Sequence, residues 1–286
     1  MTPTLVREHL SHAGSVPVRV DRNARARDWS EIQERMLVPL YEAVYERLEV
    51  GPLTRLLGLR CGTGLALLMA ASRGAAVTGV DASPERLALA RERLLPDPAR
   101  GTRARTAAKL LDGSPADAAD AQTPAYTVVT VFEPIGCLAG DSEGLGELLA
   151  DALPLAGRGA AVVLAGWGPP ERCATSSVLR VATKLADPLR RAGSWRPARR
   201  DDLEEVAQRA GLKPDGSGRV ACPFGYADLD SAVRGLLSTG LFDAAIAATD
   251  RKQVDKELVE ALHPHRRPDG TVWMPNVFRY LIARVR

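Results

Sequence analysis

Apolar and polar positions in the first fifty residues predict one amphipathic helix after an irregular start. Apolar residues recur at a spacing of four between positions 36 and 48, which is typical of a helix with one buried face. Ser30 with Gln33 forms a capping-box pattern ahead of that stripe, and Pro39 is expected to kink the helix. Residues 1–28 show no sustained period, so we expect an irregular arm there.

Short, nearly continuous apolar runs further along the chain predict buried strands. They cover residues 54–59, 76–80, 126–132, 160–167 and 277–285, with a weaker candidate at 103–107. Helical periods lie between them, at 65–73, 84–94, 143–153 and 202–211. Strands that alternate with helices are typical of a parallel sheet with helices on both faces. We therefore predict the α/β class, with a doubly wound, mostly parallel sheet.

Two stretches interrupt this alternation with extra helical and irregular material, and they define the predicted organisation. Ligands of doubly wound folds bind at the carboxyl edge of the sheet, so we expect both stretches to form a lid there. The predicted parts are an N-terminal arm and helix at 1–50, a core at 51–167, a lid segment at 168–198, and the C-terminal part of the core at 199–286 with a lid insertion at 224–275.

The composition predicts a folded, cytoplasmic protein. Of 286 residues, 45% are hydrophobic and 26% charged, and no apolar run is long enough to span a membrane. A net charge of +3 is too small to indicate a nucleic-acid partner. The four cysteines never form a C-x-x-C pair, which disfavours a zinc ribbon and a disulfide framework.

The most informative pattern is a strand, the turn Cys61-Gly62-Thr63-Gly64, a helix, and a second strand that ends in Asp81. Glycines let the backbone turn sharply and approach a ligand, and the helix that follows presents free N–H groups. An acid about twenty residues after such a turn can accept hydrogen bonds from two ribose hydroxyls. Leu67 stands where a dinucleotide site usually has Gly or Ala. The pattern predicts a nucleoside-containing cofactor that is not a dinucleotide.

These residues resemble the class I S-adenosylmethionine-dependent methyltransferases of the kind often called type 11, which are abundant in actinobacteria. The segments that carry the resemblance are LLGLRCGTGLALLMAASRGAAVTGVDASPERLALARERL and YTVVTVFEP, and RVACPFGYADLDSAVRGLLSTG and MPNVFRYLIARVR are similar to that subgroup's tail. The resemblance implies a Rossmann-like sheet of seven strands whose last strand is antiparallel. It also implies S-adenosylmethionine as the cofactor and methyl transfer to an oxygen, nitrogen or carbon of a small-molecule acceptor.

The resemblance also implies roles for particular residues. The turn from Cys61 to Gly64 would face the methionine part of the cofactor, Asp81 the ribose and Ala82 the adenine. Phe132 and Glu133 would lie near the sulfonium, and Glu133 is a candidate general base if it ends its strand in a partly dry pocket.

Three positions depart from the family pattern. Gly58 stands where the family has an acid, Arg60 replaces the first glycine, and Ala108 aligns with the acid that follows the third strand and meets the adenine amine. Each departure weakens cofactor capture, so the alternative is a catalytically degenerate relative that acts as a binding or regulatory module. We expect the Arg60 side chain to turn outward, toward a carboxylate or a substrate anion, which would leave the cofactor pocket open.

Aromatic and histidine residues outside this pattern are candidates for substrate or lid contacts. They are Trp29, Trp167, His263 and His265. The two histidines have no third ligand at a suitable spacing, so we predict no metal site.

Two further patterns indicate other classes of protein. Gly140–Gly144 matches the G-x-S-x-G pattern of serine hydrolases, but that motif requires a strand running directly into its first glycine, and Pro134 and Gly136 interrupt the chain. Arginines between 190 and 200 with Trp195 are compatible with RNA binding. Arg greatly outnumbers Lys throughout this chain, so we favour a solvated linker and consider a nucleic-acid partner unlikely.

Overall fold

A seven-stranded sheet forms the centre of the molecule. The computed structural model describes residues 21–95, 108–119, 125–135, 142, 144–186 and 202–286. The strands of the sheet are β1 Arg55–Leu59, β2 Ala76–Asp81, β3 Ala108–Asp112, β4 Tyr126–Ile135, β5 Ala156–Trp167, β6 Lys213–Ala221 and β9 Val277–Arg284. A separate antiparallel pair consists of β7 Phe224–Tyr226 and β8 Val272–Met274.

The order of the strands is β3-β2-β1-β4-β5-β9-β6. Strands β1 to β5 pair in parallel, and β9 lies antiparallel between β5 and β6. This order confirms the predicted doubly wound, mostly parallel sheet of seven strands with an antiparallel last strand. The carboxyl ends of β1, β2, β3 and β4 therefore meet along one edge.

Helices cover both faces of the sheet. They are α1 Arg22–Asp28, α2 Val38–Arg47, α3 Leu65–Ser72, α4 Pro84–Leu94, α5 Leu145–Ala152, α6 Thr175–Ala186, α7 Asp202–Arg209, α8 Leu229–Ser238, α9 Asp243–Ala248 and α10 Arg251–Leu262. Alternate residues of each strand face opposite sides, so Leu56 packs in the core that contains α2, α3, α6 and α8–α10, and Leu57 in the core that contains α5 and α7. No helix in the described part of the chain is long and apolar enough to cross a membrane.

The N-terminal segment differs from its prediction. Residues 22–28 form α1, capped by the Asp21 side chain, where an irregular arm was expected; residues 1–20 lie outside the described part. The chain then forms a π-helical turn at Trp29–Gln33 and a 3₁₀ turn at Glu34–Leu37 before α2 begins. The capping-box prediction is wrong, because Ser30 lies inside the π-helical turn and its hydroxyl accepts a hydrogen bond from Arg93 instead. The irregular part of the helix ends just before Pro39.

The position of the third strand corrects one of the three expected departures. Residues 103–107 lie outside the described part, and β3 begins at Ala108. It ends at Asp112, which pairs in register with Asp81 of the neighbouring strand. The acid at the end of the third strand is therefore Asp112, and the placement of Ala108 there is wrong. Apolar patterning between residues 96 and 125 is weak, which explains the shifted alignment.

The insertion between β6 and β9 packs on the same face as the N-terminal segment. Helix α8 contacts α1 and the π-helical turn, and α9 and α10 contact α6. The Tyr226 hydroxyl donates a hydrogen bond of 2.9 Å to Gln33 Oε1 across these two parts of the chain. Where they are described, the segments predicted as a lid, 168–198 and 224–275, contain the helices α6 and α8–α10 together with the strand pair β7–β8 and irregular chain. Residues 187–201, which include Trp195 and its neighbouring arginines, lie outside the described part.

Candidate cofactor site

The turn between β1 and α3 adopts a left-handed backbone at three positions. Gly62 and Gly64 have φ of +60° and +79°, values that glycine adopts without steric cost. Arg60 has φ of +48°, so an arginine keeps the backbone conformation expected of a glycine there. A Cβ at Gly64 would lie 3.1 Å from Ala90 Cβ and from Leu94 Cδ1, so this glycine also lets α4 approach the turn. The turn is intact in shape despite the replacement at position 60.

Asp81 lies at the end of β2 and is buried against this turn. Its Oδ2 accepts a hydrogen bond of 2.8 Å from Gly62 N, and its Oδ1 accepts one of 2.8 Å from Ser83 N. Burial raises the pKa of the Asp81 carboxyl, and these backbone hydrogen bonds and Arg86 oppose that rise. A carboxylate oxygen has room for a second hydrogen bond, so each oxygen of Asp81 can still accept one hydroxyl. Ala82 follows directly and is exposed.

Arg60 turns away from the glycine turn and pairs with Glu133. Its Nη1 lies 3.0 Å from Glu133 Oε2, and the two side chains are 36% and 43% exposed. The expected outward orientation of Arg60 is confirmed. The partly dry pocket expected around Glu133 is not observed, because that carboxylate lies in a solvated ion pair.

Glu34 is a buried acid that the sequence analysis did not identify. Its side chain is 3% exposed, and its Oε2 accepts hydrogen bonds from the Thr63 hydroxyl and, at 2.7 Å, from Arg93 Nη1. Its Oε1 receives only a long contact of 3.4 Å from Leu65 N, at the start of α3. No spacing pattern marks this residue, because charged residues are frequent in the segment around it. Its role is visible only when the turn and the N-terminal segment are brought together.

Trp29 lies against the same turn. A Cβ at Gly62 would lie 3.2 Å from Trp29 Nε1 and 3.3 Å from Glu34 Oε1, so only glycine fits there. The Arg86 guanidinium lies 4.7 Å from the centre of a Trp29 ring. Trp29 Nε1 is buried and has no hydrogen-bond acceptor among the described residues. A buried donor without a partner is costly, which marks this atom as a candidate ligand contact.

A small cavity remains between these side chains. Its volume is about 30 Å³, and its walls include Trp29, Glu34, Arg60, Phe132 and Glu133. It holds on the order of one or two water molecules. The side chains that line this cavity therefore leave little free volume beside the turn. The Phe132 ring also packs against Tyr41 and Tyr45, with centroid distances of 4.8 and 5.7 Å.

The remaining candidate residues lie elsewhere. Trp167 packs against Phe278, with ring centroids 4.5 Å apart. His265 lines a separate cavity of about 780 Å³, and burial lowers its pKa. His263 is exposed in the turn that follows α10. The structure therefore brings Trp29 to the glycine turn but not these three residues. The hydrolase motif is described only at Ser142 and Gly144, and β4 ends at Ile135.

The sequence was compared with protein families and with curated proteins. Residues 57–133 match the family model of a methyltransferase domain, the type 11 family. This match covers the glycine turn, Asp81, Asp112 and β4 as far as Glu133. No curated protein matches the sequence at a significant level.

Solved structures share the fold over most of the chain. A putative methyltransferase from Bacillus halodurans C-125 is 13% identical with a TM-score of 0.51, over 85% of this chain and 97% of that one. YcgJ from Bacillus subtilis is 12% identical with a TM-score of 0.51, over 86% and 98% of the two chains. YjhP from E. coli is 19% identical with a TM-score of 0.50, over 92% and 99%.

The family match and the shared fold confirm the resemblance to class I S-adenosylmethionine-dependent methyltransferases. They support S-adenosylmethionine as the cofactor, since that is the methyl donor of the class. At these identities the likeness to the solved structures concerns the fold alone.

Proposed function

We propose that this protein binds S-adenosylmethionine along the carboxyl edge of β1, β2 and β3 and transfers its methyl group to a small-molecule acceptor. The observation that carries this proposal is the pairing of an intact glycine turn with two acids, Asp81 and Asp112, which end neighbouring strands in register. When bound, the cofactor supplies an electrophilic methyl group on a sulfonium. The residues of this chain bind it, orient it and exclude water.

Each acid has a distinct task in this proposal. The two oxygens of Asp81 each retain a free lone pair, which suits the two hydroxyls of a ribose. Asp112 is exposed at the end of the adjacent strand, one strand spacing away, where its carboxylate can accept from the amine of an adenine. Ala82 provides a small apolar surface for the base between them.

The chemistry at the methyl group needs alignment more than proton transfer. Displacement at a sulfonium methyl proceeds in line, so holding donor and acceptor in the correct geometry supplies much of the rate. Glu133 is paired with Arg60 and solvated, so we assign it to the charge balance of the pocket rather than to general-base catalysis.

Two of the three departures from the family pattern do not obstruct cofactor binding in this arrangement. Asp112 supplies the acid expected after the third strand, and Arg60 points toward Glu133 and not into the turn. The third departure, Gly58, is confirmed as a position without an acid. A Cβ there would lie 2.8 Å from Leu67 Cδ2, so the Leu67 side chain packs in the space that the family's acid would occupy.

The proposal is tested by titration calorimetry with S-adenosylhomocysteine and its inosine analogue, in which a carbonyl replaces the adenine amine. Asp112→Asn should weaken binding of the adenine ligand by about tenfold, because a charge-assisted hydrogen bond is lost. It should leave the inosine ligand nearly unchanged. Asp215→Asn is the matched control, since Asp215 pairs with Arg284 in the outer strands of the sheet.

The outcomes separate the active and degenerate forms of the proposal. Release of S-adenosylhomocysteine from S-adenosylmethionine in the presence of phenols, amines or carboxylic acids would establish methyl transfer. Cofactor binding without turnover on any of them would support a binding or regulatory module. No binding of either nucleoside would overturn the proposal.

A further inference from the structure

We propose that Trp29 and Glu34, two residues of the N-terminal segment, bind the amino-acid end of the cofactor. The Trp29 N–H would donate to the carboxylate of that end, and Glu34 Oε1 would accept from its ammonium. This inference rests on the proposed function, because it assumes that S-adenosylmethionine binds at the glycine turn. It extends the proposed site to residues outside the region that matches the methyltransferase family.

The Trp29 indole carries a buried donor that has no partner among the described residues. The indole ring itself is held between Gly62 and the Arg86 guanidinium. The indole N–H can only donate, so the group that satisfies it must offer an acceptor. A carboxylate is the strongest such acceptor among the parts of the cofactor.

The two oxygens of Glu34 differ in the hydrogen bonds that they accept. Oε2 is saturated by the Thr63 hydroxyl and by Arg93, whereas Oε1 has only the long contact with Leu65 N. Arg93 balances the charge of this carboxylate, which is the condition under which a buried acid is tolerated. Glu34 lines the cavity, and its Oε1 keeps capacity to accept a hydrogen bond, which suits an ammonium group.

Trp29 Nε1 and Glu34 Oε1 both lie close to Gly62 of the turn. These two atoms lie 3.2 and 3.3 Å from one point, the position that a Cβ of Gly62 would occupy. Both atoms thus approach the same face of the turn, one as a donor and one as an acceptor. A zwitterionic amino acid carries an acceptor and a donor on one carbon, which matches this pair.

The pair also accounts for Gly58. The family's acid at that position is missing here, and Leu67 occupies the space beside Gly58. Glu34 places a carboxylate on the wall of the same cavity from a different element. The acidic function is thus supplied by the N-terminal segment, and Arg93 fixes its orientation through Ser30 and Thr63.

The test is a binding matrix of three ligands against two variants. S-adenosylhomocysteine carries both charged groups, its decarboxylated form keeps only the ammonium, and methylthioadenosine has neither. Trp29→Phe should weaken S-adenosylhomocysteine by about tenfold and leave the other two ligands unchanged. Glu34→Gln should weaken the first two ligands by about tenfold and leave methylthioadenosine unchanged.

Matched controls separate binding from structure. Trp273→Phe alters an exposed tryptophan of β8, and Glu257→Gln breaks an ion pair with Lys184 that joins α10 to α6 away from the glycine turn. Neither control should change the affinity for one of the three ligands relative to the others. Trp29 fluorescence, taken as the difference between the unaltered protein and Trp29→Phe, gives a second measurement, because the ring lines the cavity and its surroundings change when S-adenosylhomocysteine enters.

Each outcome decides one point. Equal weakening of all three ligands by Trp29→Phe or Glu34→Gln would assign that residue a purely structural role and overturn the inference. Unchanged affinity for all three would also overturn it. If neither S-adenosylhomocysteine nor methylthioadenosine binds the unaltered protein, the proposed cofactor site itself is wrong, which is a separate result.

Discussion

Arg60 holds a backbone conformation that suits glycine, and its side chain gains one partly exposed ion pair. A left-handed φ costs a residue with a side chain about 1–2 kcal/mol, and a pair as exposed as Arg60–Glu133 contributes up to about 1 kcal/mol. The two effects are of similar size and opposite sign. The replacement of glycine at this position is therefore tolerated by the fold.

Arg60→Gly is expected to change the free energy of unfolding by less than about 1 kcal/mol, because relief of backbone strain offsets loss of the pair. Since the guanidinium points away from the turn, the affinities for S-adenosylmethionine and S-adenosylhomocysteine should keep their ratio within about twofold. Glu133→Gln is the control that breaks the same pair without altering the backbone. A selective tenfold gain for S-adenosylmethionine, about 1.4 kcal/mol, would contradict the outward orientation.

Asp81 is expected to determine ribose recognition. Asp81→Asn replaces one acceptor oxygen by a donor, so at least one hydroxyl contact should be lost and S-adenosylhomocysteine should bind at least about tenfold more weakly. Calorimetry with adenosine and 2′,3′-dideoxyadenosine checks the cause. The variant should lose affinity for adenosine only, and an equal loss for both nucleosides would point to a collapsed turn.

At the scale of the elements, glycines in strands β1 and β2 allow α3 to pack closely on the sheet. A Cβ at Gly79 would lie 2.4 Å from Leu67 Cδ1 and 2.8 Å from Cys61 Sγ. Leu67 is buried and Cys61 belongs to the glycine turn, so a methyl group there would push on the turn itself. The position of the turn thus depends on the absence of a side chain in the neighbouring strand.

Gly79→Ala should lower the free energy of unfolding by about 1–3 kcal/mol through overpacking. Gly146 in α5 provides the opposite case, because nothing lies within 4 Å of its added Cβ. Gly146→Ala should be neutral or stabilise by up to about 1 kcal/mol. Chemical denaturation of both variants measures these changes in the free energy of unfolding. Similar changes for the two variants would show that packing beneath the turn is loose.

Sequence patterns predicted those elements whose signals are local. Ser83 caps α4 as expected, since its hydroxyl accepts from Arg86 N three residues later, and continuous apolar runs marked β1 and β2. The path of residues 29–37 was not predictable in this way. It is stabilised by contacts such as Glu34–Arg93, between residues far apart in the chain. Asp112 was missed because β3 is only partly buried and lacks the continuous apolar run that marks β1.

At the scale of the whole molecule, the N-terminal segment and the insertion between β6 and β9 meet beside the glycine turn. Arg234 pairs with Asp28 at 3.0 Å, Arg25 pairs with Asp243 at 2.9 Å, and Tyr226 donates to Gln33. The ion pairs are partly exposed and stabilise the fold only slightly. Their importance is that the π-helical turn, which carries Trp29, is joined to α8 of the C-terminal insertion. We therefore expect movement of Trp29 at the cofactor site to affect that insertion.

Hydrogen exchange should show this connection as protection by S-adenosylhomocysteine in two distant parts of the chain. At a ligand concentration of about 100 Kd, the bound state gains about 2.7 kcal/mol, which is enough to slow local opening measurably. We expect slower exchange in residues 22–37 and in α8 together, because Gln33 and Tyr226 share a buried hydrogen bond and both pack against Gly235 of α8. Helix α7 and strand β6 contribute nothing to the cavity beside the turn, so their exchange should serve as the internal control.

Tyr226→Phe removes the hydrogen bond with Gln33 and should reduce the ligand-dependent protection of α8, while the protection of residues 22–37 should remain. Protection confined to the glycine turn in the unaltered protein would show that the N-terminal segment and the insertion do not respond to the cofactor.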